Sequence, residues 1–412
     1  MEEKFLVTPH PDIELGFKRN DIEYFLTFPR NGINSETGLI FCVPHIGDKA
    51  DSEYQKSKLR PYLADKYNCI AVGVNYFGIG NRPETGSFYN IDENFLYWIS
   101  QIYGIAPEAY VINNWPDIDK LFSLLEKKGI TYIAPSCCAM ISIANDEYQS
   151  FGFLPAIDYL QVLGDILKRH VINKKRIIAF GSSYGGYLAL LLGKFAPNTF
   201  SHIISNSGFL CSHMTYIVGK ELGNRIRIKV KGDMVSIMET YEFRGTAKRH
   251  NVTFFAASNN PWTINDETSP YYFSDSHRAI RSLLRENHMV RSETEYHIFH
   301  SIEDLIAPID HADKFVEILK SKAISAHYKR IGVEDIDGTI FKNLSHGMEA
   351  SLRGIFDYAA KSNNKNLCKG NAVTDFDMGS VNIFDCNEKS YVFTFCNNYD
   401  IKAEIKNNVR IG

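Results

Sequence analysis

The sequence predicts an α/β protein: a mostly parallel central sheet with helices on both faces. Three observations predict it. Short apolar runs without helical period recur along the chain, the length of buried strands rather than of core helices. Most are followed by an amphipathic or helix-forming run, the alternation that builds parallel crossovers. One run, Arg176–Gly181, breaks at Gly-Ser-Ser-Tyr-Gly-Gly and resumes as the helix-forming Tyr187–Leu192, giving strand, sharp turn, helix.

The elements follow in order. Ile13–Phe17 and Ile22–Phe28 read as strands around the turn Lys18–Asp21, a leading antiparallel hairpin on an otherwise parallel sheet. Gly38–Val43 is a buried-type strand running into the loop Pro44–Asp48, residues 53–66 a helix, and Cys69–Tyr76 another apolar strand. Residues 83–150 are expected as an insertion holding the helical segments Asn94–Tyr103 and Ile118–Leu125 and a short strand, Thr131–Ala134. Residues 155–170 form a helix leading to the strand at 176–181, and Ser201–Gly208 is the next parallel strand. A second insertion spans 209–292 and ends in a helix-like run, Ser276–Leu284. Strand Glu295–His300, helix Ile309–Lys322, strand Ser325–Ile331 and helix Gly347–Lys361 complete the domain, 1–361. Residues 362–412 read as a linker and a small β-rich appendage, with strands Tyr391–Phe395 and Ile401–Ile405.

Composition limits the function classes. The 412 residues are 44% hydrophobic and 23% charged with a formal net charge of −3, which points away from nucleic acid. The basic run Arg225–Lys231 alternates with apolar residues, as a half-exposed strand does. No apolar stretch reaches about eighteen residues, so no membrane association is expected. The start, Met1–Phe5, lacks the charged and apolar regions of a secretory signal. Eight cysteines without a C-x-x-C pattern read as packing thiols in a reducing compartment, so the cytoplasm is expected.

The turn at 181–186 carries the chemistry. G-x-S-x-G between strand and helix is the pattern of a nucleophile elbow, whose tight turn needs side-chain-free residues two before and two after the serine. Gly181 and Gly185 meet that demand around Ser183, whereas Ser182 is flanked at those positions by Phe180 and Tyr184. A serine hydroxyl needs a histidine to take its proton, and the histidine a carboxylate to fix its tautomer. In chain order these should follow as acid, then histidine. Asp304, just beyond strand 295–300, takes the acid's place and could equally cap the helix that Pro308 opens; Glu303, Asp310 and Asp313 are its near neighbours. His346, in the last strand-to-helix loop, is the one histidine of thirteen at the right point in the order. Charge developing on a carbonyl oxygen calls for two amides: that of Tyr184, at a helix N-terminus, and, from the loop after strand 39–43, that of Ile46, with His45 and Gly47 one residue away.

Taken together, Gly181–Gly186, His300–Asp304 with Ala307-Pro308, and Ser345–Gly347 resemble the α/β-hydrolase superfamily, most closely its prolyl-oligopeptidase and acyl-esterase branch. Asn75–Gly80 is similar to that branch's N-Y-R-G segment, and Ser269-Pro270 stands where such chains often carry Ser-Pro. The resemblance covers roughly 35–360 outside the insertions, which it implies are a lid or cap, and it fits an uncharacterised bacterial family of such hydrolases. Two departures stand out. Only about 35 residues precede the core, where oligopeptidases carry a propeller, and Pro44-His45-Ile46 replaces the usual H-G-G run.

The expected function is a serine hydrolase cleaving an ester of a small molecule or an acylated carbohydrate, with no metal or cofactor required. Acyl transfer through the same residues, or a hydrolase fold kept as a binding protein, are the alternatives. Trp98, Trp115, Trp262, Tyr271 and Tyr272 would suit an apolar or sugar-stacking pocket and would suit ordinary core equally.

Overall fold

A computed structural model describes residues 2–105, 115–230, 232–242, 245–362 and 367–408. The chain separates into two compact units, the larger comprising Met1–Ile79, Ser150–Ser212 and Asp275–Gly412, the smaller Gly80–Gln149 and His213–Ser274. The two insertions therefore form one unit, and the second ends at Ser274 rather than 292. Residues placed in a separate C-terminal extension belong to the larger unit.

The larger unit is built on an eight-stranded sheet. Its strands are β1 (Glu2–Val7), β2 (Ile22–Thr27), β3 (Gly38–Val43), β4 (Cys69–Asn75), β5 (Ile177–Ser182), β6 (His202–Asn206), β7 (Glu295–Ser301) and β8 (Ala326–Ile331). Their spatial order is 1-2-4-3-5-6-7-8. Pairing is antiparallel at β1–β2 and β2–β4 and parallel across the rest. Helices α1 (Arg60–Tyr67), α2 (Phe153–Arg169), α3 (Tyr184–Phe195), α4 (Asp275–Arg281), α5 (Ile309–Ser321) and α6 (Leu352–Lys361) connect and cover it.

Because side chains alternate along a strand, each face has its own core. Ile40, Cys42, Ile178, Phe180, Ile204 and Phe299 pack with Leu63 of α1 and Ile355 and Phe356 of α6. On the other face Phe41 meets Tyr159 of α2, and Tyr296 meets Phe315 of α5.

Several expectations are corrected. The first arm of the hairpin is Glu2–Val7, not Ile13–Phe17. The Asp12 carboxylate accepts the amides of Glu14, Leu15 and Phe17 and coils that run into a turn. The exposed edge is taken by the charged N-terminal strand, where Phe5 stacks on Tyr24 at 5.3 Å. The last helix begins at Leu352, not Gly347, since Gly347, Met348 and Glu349 all have positive φ and Ser351 caps the helix. The tail contains a third strand, Val381–Cys386, and the three-stranded sheet is part of the core: Phe393 stacks on Phe195 at 4.6 Å.

In the smaller unit Gly245–Arg249, Val252–Ser258, Cys138–Ser142 and Phe88–Asn90 form a four-stranded sheet. Helices Glu93–Tyr103 and Trp115–Lys127 supply Phe95, Leu121 and Phe122 to its core beside Phe254. Thr131–Ala134 makes only an isolated bridge, Tyr132 to Thr253; the strand starts at Cys138. Trp262 is fully buried between Tyr148 and Phe273, a core residue rather than a pocket wall. The side chain of Trp115, and residues 363–366 of the expected linker, lie outside the described residues. Burial pushes the thiols of Cys42 and Cys137 up to about 12, as packing cysteines require. Among the described residues no helix is long and apolar enough to cross a membrane.

Candidate active site

Every candidate side chain leaves the carboxyl edge of the parallel strands, where loops from neighbouring strands converge. Ser183 follows β5 at φ 55° and ψ −124°, a conformation costly for a residue with a Cβ, about 1–3 kcal/mol. Its amide donates to Asn206 O at 2.8 Å, anchoring the turn to the neighbouring strand β6. The glycines permit the turn by close approach. A Cβ on Gly181 would stand 2.3 Å from the Gly185 carbonyl carbon, and one on Gly185 would stand 2.3 Å from Val43 O.

The Ser183 hydroxyl lies 2.7 Å from His346 Nε2. His346 Nδ1 lies 2.8 Å and 3.0 Å from the two oxygens of Asp304. A carboxylate can only accept, so the proton sits on Nδ1, and Nε2 is left as the acceptor facing the serine. Asp304 is buried, and its Oδ1 also accepts the amides of Ile306 and Ala307 at 3.0 and 2.9 Å. Burial alone would raise its carboxyl, but the hydrogen bonds from His346 and Ala307 and the imidazoles of His346 and His300 outweigh it, holding the group below the usual carboxylate range. Helix capping and histidine orientation are thus one arrangement. Glu303 is exposed, Asp310 lies in α5, and Asp313 accepts from Tyr328, leaving Asp304 alone at the imidazole.

The loop carrying His346 is pinned on both sides. Ser301 Oγ donates to Leu344 O at 2.6 Å, Asn206 Nδ2 to Gly347 O at 3.2 Å, and Gly347 N to Ser207 Oγ at 3.2 Å. Phe209 lies against the imidazole with ring centres 5.6 Å apart. These supporting residues escaped the sequence reading. Their one signal was the polar cluster Ser205-Asn206-Ser207 closing an otherwise apolar strand beside the elbow. His300, which opens the His300–Asp304 motif, is buried, with Nε2 donating to Ala307 O at 2.6 Å, and so braces the Asp304 loop.

Tyr184 opens α3, so its amide is at a helix N-terminus. Ile46 lies in a turn closed by Asp48 N to His45 O at 3.1 Å, with Gly47 at φ 88°. The His45 imidazole donates to Ile46 O at 2.8 Å. The elbow abuts this loop, because Gly185 also approaches Pro44 O, 2.9 Å from its would-be Cβ.

Among solved structures the chain is similar to an acylaminoacyl peptidase of Pyrococcus horikoshii, at 12% identity and a TM-score of 0.41 over 82% of this chain and 38% of that one. It therefore spans under half the length of that peptidase. It is similar also to a carboxylesterase of Lactobacillus plantarum, at 9% identity and a TM-score of 0.43 over 90% of this chain and 100% of that one. A thermophilic esterase of Thermogutta terrifontis matches at 10% identity and a TM-score of 0.40, over 83% and 87% of the two chains. No curated protein matches the chain. Over residues 3–402 the chain matches the family described as Protein of unknown function (DUF2920), and it belongs to that family.

Proposed function

We propose that the chain is a serine hydrolase that cleaves a carboxylic ester through an acyl-enzyme on Ser183. His346 Nε2 takes the hydroxyl proton as Ser183 Oγ bonds to the ester carbonyl carbon. The amides of Tyr184 and Ile46 stabilise the resulting oxyanion, and the imidazolium is steadied by Asp304. The proton then passes to the departing alkoxide, and water repeats the sequence on the acyl-enzyme, releasing the acid. A small-molecule ester or an acylated sugar is the substrate class.

The observation that carries this reading is the unbroken hydrogen-bonded line from Ser183 Oγ at 2.7 Å to His346 and on to both oxygens of Asp304. A buried anion, a defined tautomer and a strained serine in one line are the costs a nucleophile requires, and a mere turn has no use for them.

A fluorophosphonate probe on the purified protein tests it. Wild type is expected to be labelled and Ser183→Ala to remain unlabelled, and p-nitrophenyl esters of increasing chain length then report the acyl preference. An unlabelled, inactive wild type would leave a binding protein on a hydrolase-like scaffold.

A further inference from the structure

At the opposite edge of the sheet, four ionisable side chains gather at the amino ends of β6, β7 and β8. His202 pairs in register with Glu295, and His297 with His327. Residues two apart on a strand share a face, as do cross-strand partners, so all four project to one side. It is the side of α6, where Phe299 packs against Tyr358.

One ligand atom from each of His202, Glu295 and His297 lies within 4.8 Å of the others. His327 Nε2 lies 3.3 Å from Glu295 Oε2, and His202 Nε2 lies 3.7 Å from the same oxygen. The His297 ring is sandwiched, its centre 5.5 Å from that of His202 and 4.6 Å from that of His327.

His297 is the informative member. It is 1% exposed, and neither ring nitrogen has a hydrogen-bond partner among the described residues. A buried imidazole with both nitrogens unmet is rare in folded proteins. A metal-free cluster, with Glu295 accepting from the outer histidines, leaves His297 in that condition. An ion bound at one of its nitrogens gives that atom the partner it lacks.

We propose that His202, Glu295, His297 and His327 form a structural site for a divalent transition metal, with zinc the ion that this donor set suits. Imidazole and carboxylate without thiolate fit zinc, whereas magnesium and calcium call for oxygen ligands. Ligands about 2.0–2.1 Å from a tetrahedral ion stand roughly 3.4 Å from one another. The pairs at 3.3 and 3.7 Å are near that spacing, and His327 joins the three clustered donors through its contact with Glu295. Four protein ligands leave no open position, so the site is structural, fastening β8, the outermost strand, to β7 and β6. It lies about six residues of β7, roughly 20 Å, from the loop of Asp304.

The test uses the full chain stripped with a chelator and titrated with Co2+, followed by its tetrahedral d–d absorption, and with Zn2+ in competition with a chromophoric chelator. One ion per chain is expected, with thermal unfolding shifted upward on Zn2+ addition. Glu295→Gln should weaken affinity by at least the ~10–100-fold that loss of an outer-shell partner costs. His327→Ala changes a half-exposed side chain, so the fold tolerates it, and it should weaken binding comparably. His346→Ala should leave binding intact, excluding the imidazole beside Ser183 as the ligand. No uptake, or uptake indifferent to Glu295→Gln and His327→Ala, would overturn the proposal.

Discussion

At the scale of single residues, the proposed chemistry rests on how Asp304 is held. Both oxygens are engaged by His346, and two backbone amides also donate to Oδ1, so the carboxylate stays ionised despite burial. An asparagine there would offer an N–H to Nδ1 or hold the wrong tautomer, leaving Nε2 protonated toward the serine. Asp304→Asn should therefore lower kcat by about 10⁴-fold, against about 10⁶-fold for Ser183→Ala or His346→Ala. Glu303→Gln, one position away but exposed, should keep near-wild-type turnover. Steady-state hydrolysis of a p-nitrophenyl ester compares the set. Full activity in Asp304→Asn with loss in Glu303→Gln or Asp310→Asn would reverse the assignment of the acid.

At the scale of the element, the elbow is held by backbone packing. Gly185 approaches the Val43 and Pro44 carbonyls so closely that Gly185→Ala must displace either the helix start or the loop bearing Ile46. The expected cost is about 1–3 kcal/mol in urea unfolding, with a fall in kcat larger than the stability loss explains. An unchanged kcat would mean that the loop after β3 does not serve the site. The histidine loop obeys a related rule. Gly347, Met348 and Glu349 take φ of 77°, 57° and 42°, which turns the chain sharply after His346 and delays the helix to Leu352. Apolar periodicity extended that helix back to Gly347, because left-handed conformations at Met and Glu leave no mark in composition.

At the scale of the whole molecule, the C-terminal sheet seals the far end of α3 and buries a lysine. Lys194 is 2% exposed, donates to Ile280 O at 2.6 Å and Ser282 O at 2.9 Å, and lies against the rings of Phe195 and Phe384. Burial pushes its amine down to about 7 from the ordinary 10.5, with Arg285 adding to the shift. Between those values the unfolded chain carries a proton that the folded chain lacks, so the Lys194 contribution to stability rises with pH and falls away toward pH 7. Compared with Lys194→Met, wild type should gain up to about 1.4 kcal/mol per pH unit between about pH 7.5 and pH 9.5 in urea unfolding. A pH-independent difference would show that the amine stays charged in the fold. Long-range ion pairs complete this level: Arg281 with Glu14 and Arg19 with Asp158 join the N-terminal segment to helices far along the chain, with all four side chains buried.

Local rules made much of the protein legible in the sequence. Apolar runs gave the order of strands and helices, and paired glycines and chain order pointed to Ser183, Asp304 and His346, three side chains that meet at hydrogen-bond distance. Tertiary structure alone decided which segment takes the sheet edge, because Asp12 coils the more apolar candidate and the charged Glu2–Val7 pairs instead. It also decided that two insertions share one unit, that the tail completes the core, and that His202, Glu295, His297 and His327 meet. Those outcomes depend on register between strands separated by up to 117 residues, as Phe255 is from Cys138, and pairing over such distances is set by the packing of the finished sheet rather than by any local pattern of residues.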